Sequence, residues 1–171
     1  MSDKTFKQFL DNRPNNSESL ALSQIKDTRM LCQIAKQIRD NGHGNIVSYS
    51  RKIFIPLTKI CRDFCHYCTF SQSPSLHQRS FMTPEEVLGL VKQGETLNCK
   101  EALFTLGDKP ELRYRSTREE LATLGHETTL SYLAEIAGMV VRETNLMPHI
   151  NAGVMSYENL RQLRKVSVSQ G

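Results

Sequence analysis

Hydrophobic and polar positions recur along this chain with two different periods, and the changes of period divide it into helices and strands. The first regular segment covers residues 19–40, where apolar side chains recur three or four positions apart, as on one face of a helix: Leu22, Ile25, Leu31, Ile34, Ala35 and Ile38. We expect this helix to end within residues 41–44, with Gly42 as a left-handed cap. Residues 1–16 are polar and predict little regular structure.

Farther along, short apolar runs alternate with amphipathic segments. The runs 52–58, 101–108 and 149–153, and a fourth that begins at 166, predict strands. Thr83-Pro84-Glu85-Glu86 predicts a helix start with a capping box, and residues 117–120 repeat the pattern. A helix is expected over 128–143 and another over 156–163. The first of these should bury one apolar face: Leu130, Leu133, Ile136, Ala137, Val140 and Val141.

This order of elements predicts an α/β fold. Strands that alternate with helices form right-handed crossovers and a parallel sheet, which must be covered on both faces or closed into a barrel. We expect a partial β/α (TIM-like) barrel of about four strands, preceded by an N-terminal helical extension. The predicted domains are 1–45, a polar segment and helix, and 46–171, the first half of the barrel. Because no helix follows the fourth strand, we expect an N-terminal portion of a longer barrel.

Composition excludes several classes of protein. The 171 residues are 39% hydrophobic and 23% charged, which is typical of a soluble globular domain. The net charge is only +4 and basic residues are scattered among acidic ones, so no nucleic-acid partner is expected. The sequence has neither an apolar stretch of about 18 residues nor a signal peptide. We therefore expect no membrane association and a reducing, cytoplasmic location.

Three of the five cysteines are crowded into one loop. Cys61, Cys65 and Cys68 have the spacing C-x3-C-x2-C directly after the first predicted strand, where β/α barrels carry their chemistry. Thiolates are soft ligands that suit zinc or an iron–sulfur cluster. Three cysteines on a 4Fe–4S cluster leave one iron open to a small molecule, which favours the cluster. Zinc would need a fourth ligand from His66, His77 or Cys99.

The same residues resemble a known family. C-x3-C-x-aromatic-C is the signature of radical S-adenosylmethionine enzymes. The longer segments SYSRKIFIPLTKICRDFCHYCTF, FTLGDKPE, PHINAGVMS and VSVSQG resemble the 7,8-didemethyl-8-hydroxy-5-deazariboflavin synthase family, the lyase half of FO synthase. The resemblance spans residues 41–171. One departure is His66, where the family usually has glycine.

The resemblance implies a role for each matching residue. Cys61, Cys65 and Cys68 would ligate a 4Fe–4S cluster whose fourth iron binds S-adenosylmethionine, and Tyr67 would lie beside the adenine. The segment 107–111 would receive the methionine amino group. Further residues that would face the cofactor or substrate are Gly107, Asp108, Glu111, Asn151 and Ser169. No residue is assigned as catalytic.

The family reaction supplies the expected function. A 5′-deoxyadenosyl radical takes a hydrogen atom from the tyrosine-derived 5-amino-5-(4-hydroxybenzyl)-6-(D-ribitylimino)-5,6-dihydrouracil, and ring closure with release of ammonia gives the deazaflavin. Expected partners are a reductant such as flavodoxin or ferredoxin and the tyrosine-coupling subunit. Two alternatives stay open: another radical enzyme, such as the tyrosine-coupling half of FO synthase, or an inactive cluster-binding fragment.

Three other residues stand outside this pattern. Cys32, on the apolar face of the first helix, and Cys99, just before a strand, are expected to be structural, since buried cysteine behaves as a small hydrophobe. His149 starts a predicted strand, and its sequence context fits a core or a catalytic role.

Overall fold

The structure, a computed structural model, describes residues 12–76 and 78–170. The chain separates into two compact units, Met1–Tyr49 and Ser50–Gly171. Within the described ranges, every helix is too short or too polar to cross a lipid bilayer.

In its described part, residues 12–49, the first unit contains two helices where the periodicity predicts one. Helix α1 covers Asn16–Leu22 and α2 covers Thr28–His43. The interruption has a local cause: Asp27 caps α2 by accepting a hydrogen bond from the backbone N–H of Arg29, 3.0 Å away. Ile25 therefore lies between the helices, and neither helix buries a residue. Cys32 is exposed, so its predicted structural role is wrong.

The predicted helix stop is displaced by two residues. Gly42 lies inside α2, and Gly44 takes the positive φ of 62°. The N–H of Gly44 donates to the carbonyl of Asp40 at 2.8 Å, which closes the last turn. Glycine adopts a positive φ without a steric penalty, so the second glycine of the pair ends the helix.

The second unit is built on a four-stranded parallel sheet, as predicted. Its strands are β1 Lys52–Ile55, β2 Glu101–Thr105, β3 Met147–Asn151 and β4 Ser169–Gln170, in the order β1-β2-β3-β4. The connecting helices are α3 Pro84–Thr96, α4 Arg115–Thr123, α5 Thr129–Glu143 and α6 Tyr157–Leu163. Short 3-10 turns cover Pro74–Leu76 and Pro110–Leu112. Parallel strands that neighbour one another in sequence order and are joined by helices are the arrangement found in a β/α barrel.

The helices cover one face of this sheet. Alternate strand residues on that face are fully buried, and they pack in one core with residues of α3, α5 and α6: Ile55, Ala102, Phe104, Ile150, Val87, Val91, Leu133, Ile136, Val140 and Leu163. Val141 is 52% exposed, so its predicted inward orientation is wrong. On the other face Phe54 is 63% exposed, so the described residues leave this face open.

Strands β1 and β2 are shorter than their apolar runs, because the chain leaves the sheet to form the loops at its carboxyl edge. β1 ends at Ile55, before Pro56, and β2 ends at Thr105, so residues 106–108 belong to a loop. β3 begins two residues before the predicted 149, and β4 begins only at Ser169. Ser169 therefore opens β4, and Asn151 ends β3.

Of the two predicted capping boxes in this unit, one is confirmed and one is wrong. The Thr83 hydroxyl accepts from the N–H of Glu86, and the Glu86 carboxylate accepts from the N–H of Thr83. Thr117 instead lies inside α4 and donates its hydroxyl to the carbonyl of Tyr114 at 2.8 Å. Glu120 binds the backbone N–H groups of Ser80 and Phe81, at 2.6 and 3.1 Å. The Glu120 carboxylate, which the capping-box pattern predicts to cap its own helix, thus makes a tertiary contact instead.

Candidate metal centre in the cysteine loop

The cysteines lie on a loop that is closed at its base. Ile60 pairs with Gln72 in a parallel bridge, and the N–H of Gln72 donates to the carbonyl of Lys59 at 2.9 Å. The N–H of Gly107 donates to Thr58 at 2.9 Å, which fixes the start of the loop beside the end of β2. The sequence between the two sides of the base, including all three cysteines, is thus presented at the carboxyl edge of the sheet, as predicted for a barrel site.

Cys61 is the most enclosed of the three. Its sulfur accepts hydrogen bonds from the backbone N–H groups of Asp63 and Asp108, at 3.4 and 3.3 Å. Its side chain is half-buried, whereas Cys65 and Cys68 are exposed. Backbone N–H donors stabilise negative charge on sulfur. Cys61 therefore sits in surroundings suited to a thiolate ligand before any metal arrives.

Cys65 and Cys68 line a neighbouring cavity of about 370 Å³. The N–H of Cys68 donates to the carbonyl of Cys65 at 3.1 Å, so a tight turn holds the two residues close together. Phe64 and other residues of the loop complete the lining, together with Arg113 and Tyr114 from the segment after β2. Because both side chains are exposed, they can change rotamer at little cost.

The three sulfur atoms are not gathered into a ligand set. Among the residues that the structure describes, no three histidine, cysteine or acidic side chains are close enough together to hold a metal ion. The chemistry of the donors nevertheless fits an iron–sulfur cluster, since three thiols share one short loop and one of them already receives two N–H donors. Cys61, Cys65 and Cys68 would hold it.

The zinc alternative loses one of its candidate ligands. Cys99 is buried in the core at the amino end of β2, whereas the cysteine loop lies at the carboxyl end. This position confirms its expected structural role and removes it as a fourth ligand. His66 is exposed within the loop, and His77 lies outside the described residues.

Gly107 lies directly against the backbone of the cysteine loop. A Cβ atom at this position would be 2.0 Å from the carbonyl oxygen of Ile60 and 3.0 Å from the Cα of Cys61. Any side chain here would displace the start of the loop. The close approach that glycine permits at this position is made to the protein's own chain.

Asp108 joins the loops that follow three strands. Its carboxylate accepts from Arg62 Nε at 2.7 Å and from Lys109 Nζ at 3.1 Å, and its side chain is nearly buried. Its backbone carbonyl accepts from the N–H of Arg62 at 3.0 Å. Lys109 Nζ also donates to the carbonyl of Val154, and a Cβ on Gly153 would lie 2.9 Å from Asp108 Cγ. Asp108 is thus held by hydrogen bonds from Arg62 and Lys109 and packs against Gly153.

Glu111 is bound to a helix terminus. Its buried carboxylate accepts from the N–H of Thr129 at 3.1 Å and from the Thr129 hydroxyl at 2.5 Å. Thr129 is the first residue of α5, where a carboxylate satisfies free N–H groups and interacts favourably with the helix dipole. The Glu111 side chain therefore stabilises the start of α5.

The remaining predicted site residues lie at different levels of the sheet, since Asn151 ends β3 at the carboxyl edge and Ser169 opens β4. Tyr67 is 97% exposed beside Cys68. Asn151 is exposed and pairs in register with Thr105, whereas Ser169 is half-buried and pairs with His149. Residues paired in a parallel register point to the same face. Asn151, His149 and Ser169 therefore share the face opposite the helices.

Two sets of interacting side chains could not be predicted from the sequence, because their members are far apart in the chain. Arg113 donates to the carbonyl of Arg62 at 2.8 Å, and its guanidinium lies 3.9 Å from the ring centre of Phe64.

At the amino edge of the sheet, Glu101 binds Lys52, Ser50 and His149, and its carboxylate lies 3.0 Å from His149 Nδ1. Hydrogen bonds from Lys52 and then Ser50 lower the pKa of Glu101 to about 2. His149 thus belongs to a polar cluster and not to the apolar core.

Comparison with known proteins identifies relatives of this chain. It is 44% identical over 160 residues to FO synthase of Mycobacterium leprae (strain TN), covering 85% of this chain and 18% of that protein. It is 42% identical over 166 residues to FO synthase of Streptomyces avermitilis, covering 91% and 19%. The 7,8-didemethyl-8-hydroxy-5-deazariboflavin synthase of Methanopyrus kandleri is 40% identical over 126 residues, covering 74% and 38%. The chain thus spans about a fifth to two fifths of the length of these relatives. No family model matches it.

Solved structures show the same fold. Methylornithine synthase (PylB) superposes with a TM-score of 0.66 at 18% identity, covering 95% of this chain and 44% of that one. The FeFe-hydrogenase maturase HydG from Carboxydothermus hydrogenoformans gives a TM-score of 0.67 at 20% identity, covering 95% and 36%. These identities establish the barrel fold alone. The sequence identities of 40–44% show that the matched part of this chain is homologous to a segment of the FO synthases.

Proposed function

We propose that this chain supplies the cluster-binding and S-adenosylmethionine-binding part of a lyase that forms 7,8-didemethyl-8-hydroxy-5-deazariboflavin. The observation that carries the proposal is the loop Cys61–Cys68, closed at its base and placed at the carboxyl edge of the parallel sheet. The substrate would be the tyrosine-derived aminobenzyl–ribityl-uracil adduct. Its ring closure with loss of ammonia gives the product.

The choice of the lyase reaction rests on the pattern of relatives. The chain aligns both with FO synthases and with a 7,8-didemethyl-8-hydroxy-5-deazariboflavin synthase, at 44% and 40% identity. The aligned part covers 18% of the first and 38% of the second, so the FO synthase is the longer protein. This chain matches a segment that both proteins share. The match to the shorter one, the 7,8-didemethyl-8-hydroxy-5-deazariboflavin synthase, supports the synthase activity that its name states.

In this proposal, the protein's own residues bind and orient the cluster and S-adenosylmethionine. Cys61, Cys65 and Cys68 would hold a 4Fe–4S cluster, which when bound supplies the electron that cleaves S-adenosylmethionine to methionine and a 5′-deoxyadenosyl radical. Tyr67, exposed beside Cys68, would lie against the adenine. A one-electron protein such as flavodoxin or ferredoxin would serve as the reductant, and the exposed loop favours its access.

The segment 107–111 would bind the methionine amino group through its backbone. An ammonium group needs acceptors, and this segment offers two carboxylates and several carbonyls. The Asp108 carboxylate already accepts from Arg62 and Lys109, and the Glu111 carboxylate accepts from Thr129. Leaving either of those partners unpaired would cost free energy. Backbone carbonyl oxygens are therefore the acceptors that the proposal assigns.

The test is anaerobic reconstitution of the 171-residue chain with iron and sulfide, followed by iron analysis and electron paramagnetic resonance after reduction. We expect about four iron atoms per chain, because three thiolates and one open position define a 4Fe–4S site. Replacement of Cys61, Cys65 or Cys68 by Ala should abolish the cluster. Cys32→Ala is the matched control, since it removes an exposed thiol outside the loop and should retain the iron.

A second readout separates the family from its reaction. With a low-potential reductant the chain should convert S-adenosylmethionine to 5′-deoxyadenosine, detected by chromatography. Formation of fluorescent deazaflavin from the adduct would support the lyase assignment for a chain that carries the rest of the barrel. Stoichiometric zinc without iron would contradict the proposal, and adenosyl cleavage with formation of the tyrosine–uracil adduct instead would favour the coupling reaction.

A further inference from the structure

The contacts around Cys61 suggest a role for Asp108 different from cofactor binding. Asp108 approaches the start of the cysteine loop through three groups: its backbone N–H donates to Cys61 Sγ, its carbonyl accepts from the N–H of Arg62, and its carboxylate accepts from Arg62 Nε. These contacts join residues 46 or 47 positions apart in sequence. Together they make a two-sided attachment between the Cys61 segment and the end of β2.

We propose that Arg62 and Asp108 form a latch that fixes Cys61 as the preformed ligand of the cluster site, around which the exposed Cys65 and Cys68 close. The inference rests on the proposed function, because it concerns the same three cysteines. It identifies Arg62 and Asp108 as positioning residues. They act on the site through Cys61.

The surroundings of Asp108 hold the latch rigidly. The Arg62–Asp108 ion pair is nearly buried on the aspartate side, where 9% of the side chain is exposed, and 34% exposed on the arginine side. Lys109 Nζ holds the second carboxylate oxygen at 3.1 Å. Gly153, at φ 76°, has room for no side chain because Asp108 fills that space. Arg113 adds a separate hold by donating to the carbonyl of Arg62.

The latch holds in place one of the two N–H groups that donate to the Cys61 sulfur, that of Asp108. If Asp108 moves away from the loop, its backbone N–H leaves Cys61 Sγ. Hydrogen bonds to a ligating sulfur stabilise the more negative, reduced state and raise the reduction potential of an iron–sulfur cluster. Breaking the latch should therefore lower the potential as well as the yield of cluster.

This expectation can be separated from a simple effect of charge. Asp108→Asn removes a negative charge near the cluster, which by electrostatics alone would raise the potential. The amide also carries an NH₂ group, so it cannot accept from Arg62 and Lys109 together. If the latch operates, Asp108→Asn lowers the potential. The sign of the shift therefore distinguishes positioning from charge.

Asp63→Asn is the matched control. Asp63 lies in the same loop, its carboxylate is exposed, and it is 3.9 Å from Arg62 Nε, outside normal hydrogen-bonding distance. The substitution removes one negative charge without altering Asp108. We expect Asp63→Asn to raise the potential, or to leave it unchanged, and Arg62→Gln to lower both the potential and the iron content.

A measurement on the metal-free chain tests the latch independently of the cluster. Hydrogen exchange of the amides of Arg62 and Asp108 should be about tenfold faster in Arg62→Gln and in Asp108→Asn than in the unsubstituted chain, the effect of losing roughly one hydrogen bond. Exchange of the β2 amides should be unchanged. In the double variant Arg62→Gln/Asp108→Asn, the exchange rate of these amides should not exceed that of either single variant, because both substitutions remove the same interaction.

The outcomes separate the two proposals. An unsubstituted chain that binds no iron refutes the proposed function, while hydrogen exchange still decides the latch. If the chain binds iron and Asp108→Asn raises the potential as Asp63→Asn does, or if exchange at residues 62 and 108 is unaffected, the latch is refuted. If Asp108→Asn also loses protection in β2, it has unfolded, and Arg62→Gln, which leaves Asp108 paired with Lys109, gives the decision.

Discussion

At the scale of single residues, the segment 107–111 makes structural contacts in addition to the cofactor contacts that its resemblance implies. Gly107, Asp108 and Glu111 are expected beside the cofactor, and that remains a prediction. In the structure their immediate partners are the Ile60–Cys61 backbone, Arg62 and Thr129. A motif read as a binding loop is thus also the part that joins β2 to the cysteine loop and to α5.

The contact at Gly107 gives a direct prediction. Gly107→Ala should destabilise the chain by about 1–3 kcal/mol, because the new methyl group would overlap the Ile60 carbonyl, which belongs to backbone that cannot rotate away. The measurement is the urea midpoint followed by circular dichroism. Gly89→Ala is the control: a Cβ there meets no atom within 4 Å, and in helix α3 alanine should stabilise by about 0.5–1 kcal/mol. Equal effects at both positions would contradict the packing argument.

At the scale of elements, the sheet carries different chemistry at its two ends. The carboxyl edge holds the cysteine loop and the latch, while the amino edge holds Glu101 with Lys52, Ser50 and His149. The Glu101 carboxylate on β2 thus binds one side chain of β1, one of β3, and Ser50, which lies two residues before β1. This cluster lies on the face that the helices leave open, where it adds polar ties between strands that share no apolar core on that side.

The Glu101 cluster predicts an acid-sensitive stability. The pKa of Glu101 is about 2 in the folded chain against an ordinary value of 4.5, so its ionised form stabilises the fold above pH 4.5. This contribution is lost as the pH falls from about 5 towards 2, because protonation then competes with the bonds to Lys52 and Ser50. Glu101→Gln should therefore flatten the fall of the urea midpoint between pH 5 and pH 3.

The control for this measurement is Glu119→Gln, which removes an exposed carboxylate paired with Arg115 on the surface of α4. Exposed ion pairs contribute about 0–1 kcal/mol, so its pH dependence should stay close to that of the unsubstituted chain. A profile for Glu101→Gln as steep as the original would show that the cluster does not contribute.

At the scale of the whole molecule, the barrel segment buries one face of its sheet and leaves the other exposed in the described residues. Phe54 is 63% and Met147 is 47% exposed on that face. Parallel sheets are normally covered on both faces. An apolar sheet face in contact with water favours association with another apolar surface.

We therefore predict that the 171-residue chain self-associates at micromolar concentration. Phe54→Thr should shift the distribution towards monomer in sedimentation velocity experiments, since it removes an exposed aromatic side chain from the sheet face and introduces a β-branched residue, which strands favour. Val154→Thr is the control, because Val154 is 74% exposed but lies in a loop after β3. A monomeric chain at all concentrations would refute the prediction.

The sequence alone determined the types and order of the elements in the barrel segment. Apolar periodicity, the Thr83 capping box and the alternation of strands with helices are local signals, and they predicted a parallel sheet correctly. The spacing of Cys61, Cys65 and Cys68 likewise placed the candidate site after β1. These features depend on residues a few positions apart, which is the range over which backbone geometry is set.

Only the tertiary structure decided what the polar side chains do. Glu120 binds the backbone N–H groups of Ser80 and Phe81 instead of capping its own helix. The latch between Arg62 and Asp108 connects residues 46 positions apart, and Arg113 reaches Arg62 across 51. The physical reason is that a carboxylate or guanidinium binds whichever partner the packed strands bring within about 3 Å, and sequence spacing does not encode that distance.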